Sequence, residues 1–225
     1  SRLGLRDDVM RLPIFGLGCA GGVLGLARAA DLARSAPHRK VLFLVVELCG
    51  LTFRGTDLSK SNIIANALFG DGAGAAVIGC DGEGPALTQW GEHTWPDSLD
   101  VMGWLVQDDG LGVLFSHDIP TIVRREFRNA TESYLAAGGQ ILADIDGFLC
   151  HPGGTKVIQA IEAAFDMPAG ALEHSRVILR DYGNMSAATL MFVIERAITA
   201  AIPGRYLASA LGPGFCAGFL TIEMP

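Results

Sequence analysis

Phe15-Gly16-Leu17-Gly18-Cys19-Ala20-Gly21-Gly22 reads as a strand end running through a glycine turn into a helix, with a single cysteine at the junction. The helix it opens, Gly22–Arg34, stops at Ser35-Ala36-Pro37 before the next apolar run. A helix N-terminus carries about half a positive charge, so a thiol held there is drawn toward the reactive thiolate. The surrounding glycines let a substrate come close to the backbone. That is the geometry of a nucleophile. Taken alone, Cys19 also fits a small buried hydrophobe, because free cysteines are mostly inert core residues.

Outward from this turn, strand-like runs at Val41–Val46 and Ala73–Ile78 alternate with helix-like segments at Gly22–Arg34, Thr121–Ala137, Lys156–Phe165 and Ala187–Ala200. Such alternation predicts an α/β layered fold. Val9–Phe15 is expected to be the strand that leads into the turn, and Asp81–Asp109, rich in Gly, Asp, Trp and Pro, a long loop. That loop divides the chain into residues 1–90 and residues 91–225. The second part is expected to add short strands at Gly147–Cys150 and Val177–Leu179, then two final strands flanking the Gly212-Pro213-Gly214 turn.

Composition excludes several classes. The formal charge of −7, with no basic stripe, lacks the footprint of a nucleic-acid binder. A mean hydropathy of +0.35 invites a membrane reading, but the purest apolar run, Val41–Val46, is far too short to span a bilayer. The early charges of Ser1–Asp8 do not resemble a secretory leader, and the five scattered cysteines show neither a Cys-x-x-Cys pair nor zinc-ligand spacing. A cytoplasmic protein with free thiols and no metal is the expectation.

Two further strand exits carry polar groups. Phe148-Leu149-Cys150-His151-Pro152-Gly153-Gly154 throws a histidine out of a short apolar strand just before a helix. His38, His93, His117 and His174 have no comparable setting. Asp181-Tyr182-Gly183-Asn184-Met185-Ser186 sets an amide ahead of the apolar helix Ala187–Ala200. By itself Asn184 fits a helix N-cap, and in company with a cysteine and a histidine it fits an oxyanion donor.

Together these motifs, with Ala67-Leu68-Phe69-Gly70-Asp71-Gly72-Ala73-Gly74-Ala75 and Gly212-Pro213-Gly214, stand in the order and approximate spacing of type III polyketide synthases. The chain resembles the C-terminal part of these chalcone-synthase-like enzymes of the thiolase superfamily. The resemblance implies a five-layered α-β-α-β-α fold, incomplete at the N-terminus, in a homodimer. It assigns catalysis to Cys19, His151 and Asn184. Cys19 would take an acyl starter from its CoA thioester, aided by proton sharing with His151 as a thiolate and imidazolium. Malonyl-CoA would then lose its carboxylate, His151 and Asn184 would hold the resulting enolate, and the enolate would attack the acyl group. CoA thioesters are substrates in this scheme, and no metal or redox cofactor is called for.

Substrate-binding positions carried over by the resemblance are Phe69, Cys49, Leu51, Thr52, Gly103, Val113, Ser186, Gly153 and Gly154. Val113 stands where plant relatives usually place a large aromatic, which implies a roomier or reshaped pocket. Ala210-Leu211-Gly212-Pro213-Gly214 is closer to bacterial members than to the plant form, so an alkylpyrone, alkylresorcinol or phloroglucinol product is expected rather than chalcone. A β-ketoacyl carrier-protein synthase of the initiating kind shares the Cys-His-Asn logic, but it would carry His-Gln-Ala-Asn at 151–154. A non-catalytic fragment or partner-binding subunit is the reading from another class.

Overall fold

The apolar runs at 41–46 and 73–78 pair with each other, and those at 147–150 and on either side of the Gly-Pro-Gly turn join one sheet. The computed structural model describes residues 4–108 and 110–225, so the first three residues of the charged N-terminal segment, and Asp109 at the end of the expected loop, lie outside the described residues. In chain order the elements begin with α1 (Gly21–Ser35), β1 (Val41–Glu47), α2 (Lys60–Leu68) and β2 (Gly72–Ile78). There follow β3 (Ala86–Thr94), β4 (Met102–Gln107), β5 (Gly110–Phe115), α3 (Ile119–Ile122) and α4 (Arg128–Ala137), the last two joined by a π turn at Val123–Phe127. The chain closes with β6 (Gly147–Cys150), α5 (Thr155–Ala164), α6 (Glu173–Tyr182), α7 (Ala187–Ala200), β7 (Gly204–Gly212) and β8 (Cys216–Met224).

Four layers follow from the packing. β1 and β2 pair antiparallel and lay one face on α1 and α7, while the other face of those helices rests on a sheet ordered β3-β8-β7-β6. One apolar core fills the space around α1 and α7, and a second lies beyond the four-stranded sheet, beneath α4 and α5. The outer face of β1–β2 carries Leu42, Leu44, Val46 and Val77, all exposed. It is where the outermost helical layer of the expected five would pack, and none of the described residues covers it.

Three expectations are corrected. Val9–Phe15 is not a strand: Pro13 lacks an amide donor, no partner strand stands beside it among the described residues, and Met10 and Phe15 face solvent. Val177–Leu179 lies within α6, because buried Ser175, Val177 and Ile178 alternate with charged Arg176, Arg180 and Asp181 at helical spacing. The stretch Asp81–Asp109 holds β3 and β4, whose pairing with β8 and β5 overrides its turn-rich composition. α2 was not expected at all, although Ser59 signals its start by accepting a hydrogen bond from the Asn62 amide at 3.2 Å.

α1 and α7 approach closely enough that only glycine fits between them. A Cβ on Gly22 would stand 2.4 Å from the Ala187 carbonyl oxygen and 3.3 Å from the Leu190 Cβ. Gly22→Ala is therefore expected to push the two helices apart and to lower stability by about 1–3 kcal/mol. A denaturant midpoint that falls with an unchanged slope would report it, and an unchanged midpoint would refute it.

Candidate active site

α1 begins one residue after a 3-10 turn, Gly18–Ala20, so Cys19 sits just off the positive end of a 15-residue helix. Gly18 takes φ +49° and packs against the Pro213 ring, where a Cβ would come within 2.7 Å of Cδ. The Gly-Pro-Gly turn between β7 and β8 thus braces the cysteine turn from below. Cys19 is buried, and its Sγ makes long contacts to Ser186 Oγ at 3.8 Å and Asn184 Oδ1 at 4.0 Å. Burial pushes its thiol up to about 12; the nearby Glu47 and Cys49 act in the same direction, while the contacts to Ser186 and Asn184 offset part of it.

Asn184 leaves the end of α6, a helix rather than the expected strand, through Gly183 at φ +73°. Its backbone is clamped to the segment after α2: Asn184 N–H donates to the Leu68 carbonyl at 2.8 Å, and Gly70 N–H donates to the Asn184 carbonyl at 3.0 Å. Its side chain is oriented in turn. Oδ1 accepts from Ser186 N–H at 2.8 Å, and Nδ2 donates to the Gly153 carbonyl at 3.4 Å. That second bond is long, and it ties Asn184 to the turn that holds His151.

His151 ends β6, where its N–H donates to the Ser209 carbonyl at 2.7 Å and its own carbonyl accepts from Gly153 N–H. The ring is 4% exposed, and neither Nδ1 nor Nε2 has a hydrogen-bond partner among the described residues. Burial pushes the imidazole down to about 4. Desolvation thus works against the expected thiolate and imidazolium pair in the resting site. No hydrogen bond joins Cys19 to His151 among the described residues, and desolvation favours the neutral form of each.

The same burial makes stability depend on pH. The unfolded chain binds the His151 proton below about pH 6.5, and the folded chain only below about 4. This contribution is thus intact above pH 6.5 and lost as pH falls toward 4, amounting to about 3 kcal/mol. His151→Gln is expected to remove that share of the acid sensitivity, read as a smaller fall in unfolding free energy between pH 7 and pH 4 (~3 kcal/mol) than the native chain shows.

Cys19 opens into a cavity of about 100 Å³. Of the residues carried over as substrate-binding, Phe69, Cys49, Thr52, Gly103, Val113 and Ser186 border it. Leu51 does not: the 3-10 turn Cys49–Thr52 directs it outward, 81% exposed. Gly153 and Gly154 lie off the cavity in the His151 turn. Trp104 stands directly across the hairpin from Val113, and the Phe69 and Phe115 rings pack at 5.8 Å, so aromatic side chains surround the small residue at 113. Glu47 was missed. It closes β1, borders the cavity, and accepts from Ala187 N–H at 3.3 Å, while burial raises its carboxyl. Its signal in the sequence is a carboxylate ending an otherwise apolar strand. Trp104 escapes a linear reading for a different reason, since its strand lies in a stretch of turn-rich composition.

Among the described residues no cluster of three His, Cys, Asp or Glu could hold a metal, and no helix is long and apolar enough to cross a membrane. Residues 1–82 match the family of chalcone and stilbene synthases, N-terminal domain, and residues 89–218 match its C-terminal domain. The chain is 40% identical over 231 residues to a 1,3,6,8-tetrahydroxynaphthalene synthase of Streptomyces peucetius subsp. caesius, covering 99% of this chain and 61% of that protein. It is 40% identical over 223 residues to a putative chalcone synthase of Bacillus subtilis strain 168, covering 93% of this chain and again 61% of the relative. The crystal structure of the 1,3,6,8-tetrahydroxynaphthalene synthase of Streptomyces coelicolor A3(2), a bacterial type III polyketide synthase, superposes with a TM-score of 0.93 at 26% identity, over 99% of this chain and 65% of that one. The chain thus spans about three fifths of the length of these relatives.

Proposed function

The chain belongs to the chalcone and stilbene synthase family, and on that premise we propose that it holds the condensing centre of a type III polyketide synthase in which Cys19 carries the growing acyl chain. The observation that supports this most is local. One buried thiol at a helix mouth borders a cavity and contacts the amide of Asn184, whose other end is tied to the His151 turn.

With thiol and imidazole both neutral at rest, the proton of Cys19 passes to His151 as the sulfur attacks the starter thioester. Moving a proton between two neutral groups creates the charges as a pair, which costs less than ionising either one alone in a desolvated site. The new thiolate lies at the positive end of α1. CoA leaves as its thiol, taking the proton from His151, and the acyl group stays on Cys19. Malonyl-CoA then loses its carboxylate as CO2, and the electron pair spreads onto the thioester oxygen. That oxygen takes up the partners the site holds ready: a His151 ring nitrogen that has none, and Asn184 Nδ2, released from its long bond to Gly153. The enolate carbon attacks the acyl carbonyl and frees the Cys19 sulfur as a thiolate, which takes a proton from water to restore the resting thiol. The carboxylate supplies the electrons, so the scheme involves no redox cofactor.

In this reading residues 1–90 contribute the nucleophile and residues 91–225 the histidine and asparagine of two related halves. The working form is a cytoplasmic homodimer. Likeness to 1,3,6,8-tetrahydroxynaphthalene synthases adds a product of that type to the alkylpyrone, alkylresorcinol and phloroglucinol types. Incubating the full protein with malonyl-CoA and a panel of starter CoA thioesters tests the proposal. Released CO2 and an acyl mass on the Cys19 peptide are expected, and the absence of both would reject it.

A further inference from the structure

The β4–β5 hairpin forms one wall of the Cys19 cavity. Directly opposed residues of an antiparallel pair share a face, so Met102 with Phe115, Trp104 with Val113, and Val106 with Leu111 line up in one apolar row. The first two pairs border the cavity. The third lies beyond it, with Val106 84% and Leu111 39% exposed. Trp104, itself 39% exposed, stands where the row passes from the cavity to the surface.

Size makes that position matter. Ligand pockets usually offer about 300–1,000 Å³. This cavity, at about 100 Å³ among the described residues, is smaller than that, and Trp104 forms its wall on the side of the Val106 and Leu111 row. The apolar surface that would suit a longer chain exists, but it lies on the far side of the indole.

We infer that Trp104 is the shutter between the two: it limits the length of the apolar starter group that can lie along this wall from Cys19, and a smaller side chain there opens the cavity onto the Val106 and Leu111 row, admitting longer apolar starters. The inference deepens the proposed function and rests on it for the identity of the substrate. The geometry of access to Cys19 is independent of that reading. Each methylene that gains burial along the row is worth roughly a fourfold preference, so a six-carbon chain gains at least about tenfold even if half of it is seated.

Two measurements on the full chain separate the claims. The first compares alkylation of Cys19 by iodoacetamide and by N-hexyl iodoacetamide, read on the Cys19 peptide by mass spectrometry, and needs no CoA recognition. In Trp104→Ala the hexyl-to-parent rate ratio is expected to rise at least about tenfold over the native chain. Trp104→Leu, which keeps an apolar side chain in the hairpin, is expected to move the ratio in the same direction and serves if the alanine variant fails to fold. A ratio unchanged in the folded variant overturns the inference. The second compares hexanoyl-CoA with acetyl-CoA as acyl donors to Cys19. A matching shift supports the shutter as a determinant of substrate. Failure of the native chain to accept any acyl-CoA, with alkylation still size-selective, would strike the condensing-enzyme reading and leave the shutter standing.

Discussion

Cys19→Ala is expected to abolish the acyl adduct and to lower condensation by roughly 10⁴-fold or more, the scale of loss when a covalent nucleophile is removed. The remaining residues explain why nothing replaces it. Cys49 borders the same cavity, but it sits in the turn after β1 rather than at a helix mouth, and burial, with the charges of Glu47 and Asp71, pushes its thiol up to about 11. Cys150 is fully buried behind His151, next to Ser209, and its thiol is pushed up to about 12 by the same desolvation. Neither has a helix dipole to favour its thiolate. The alanine variant should fold, because Cys19 packs as a small residue whose sulfur makes only two long contacts. Intact mass and peptide mapping after exposure to an acyl-CoA check the prediction. Equal adduct on native and variant chains would move the acyl site elsewhere, and an adduct on Cys49 would identify where.

The parts of this arrangement legible in the sequence are those written in local chemistry. A cysteine between glycines at a helix start, a histidine before Pro-Gly-Gly, and an asparagine before an apolar helix could each be seen without knowing what lay opposite. What could not be seen was set by partners distant along the chain. Val177-Ile178-Leu179 is apolar enough for a strand, and only the charges at helical spacing around it and its packing beside α7 make it helix. β4 hides in a stretch rich in turn formers because its stability comes from β5. The resemblance that supplied Gly103 and Val113 therefore passed over Trp104, which borders the cavity directly opposite Val113. Leu51 is parted from Cys49 and Thr52 for another reason: a residue one step along a 3-10 turn points away from its neighbours, and a linear stretch cannot show that rotation. The balance of charge between Cys19 and His151 is also hidden from a linear reading, since the types of the two residues suggest an ion pair and burial acts against it.

His151→Gln is expected to reduce malonyl-CoA decarboxylation by about 10²–10³-fold while leaving the protein no less stable below neutral pH. The two effects run in opposite directions for one reason. Both ring nitrogens of His151 are buried with no hydrogen-bond partner among the described residues, and a buried polar atom left unpaired costs about 1–3 kcal/mol. A side chain whose only task was packing would gain from being replaced by one that places its polar atoms elsewhere. An imidazole that meets the enolate oxygen bears the cost in the resting site and recovers it as charge develops on the substrate, which is how binding energy comes to act on the transition state and not on the ground state. Asn184 lacks this signature, since its amide already holds Ser186 and Gly153, so Asn184→Ala is expected to lose activity and stability together. The comparison is read from initial rates of CO2 release beside thermal midpoints at pH 5 and pH 7. A His151→Gln variant that melts well below the native chain at both pH values yet decarboxylates at the native rate would make His151 a packing residue and leave the enolate without its principal donor.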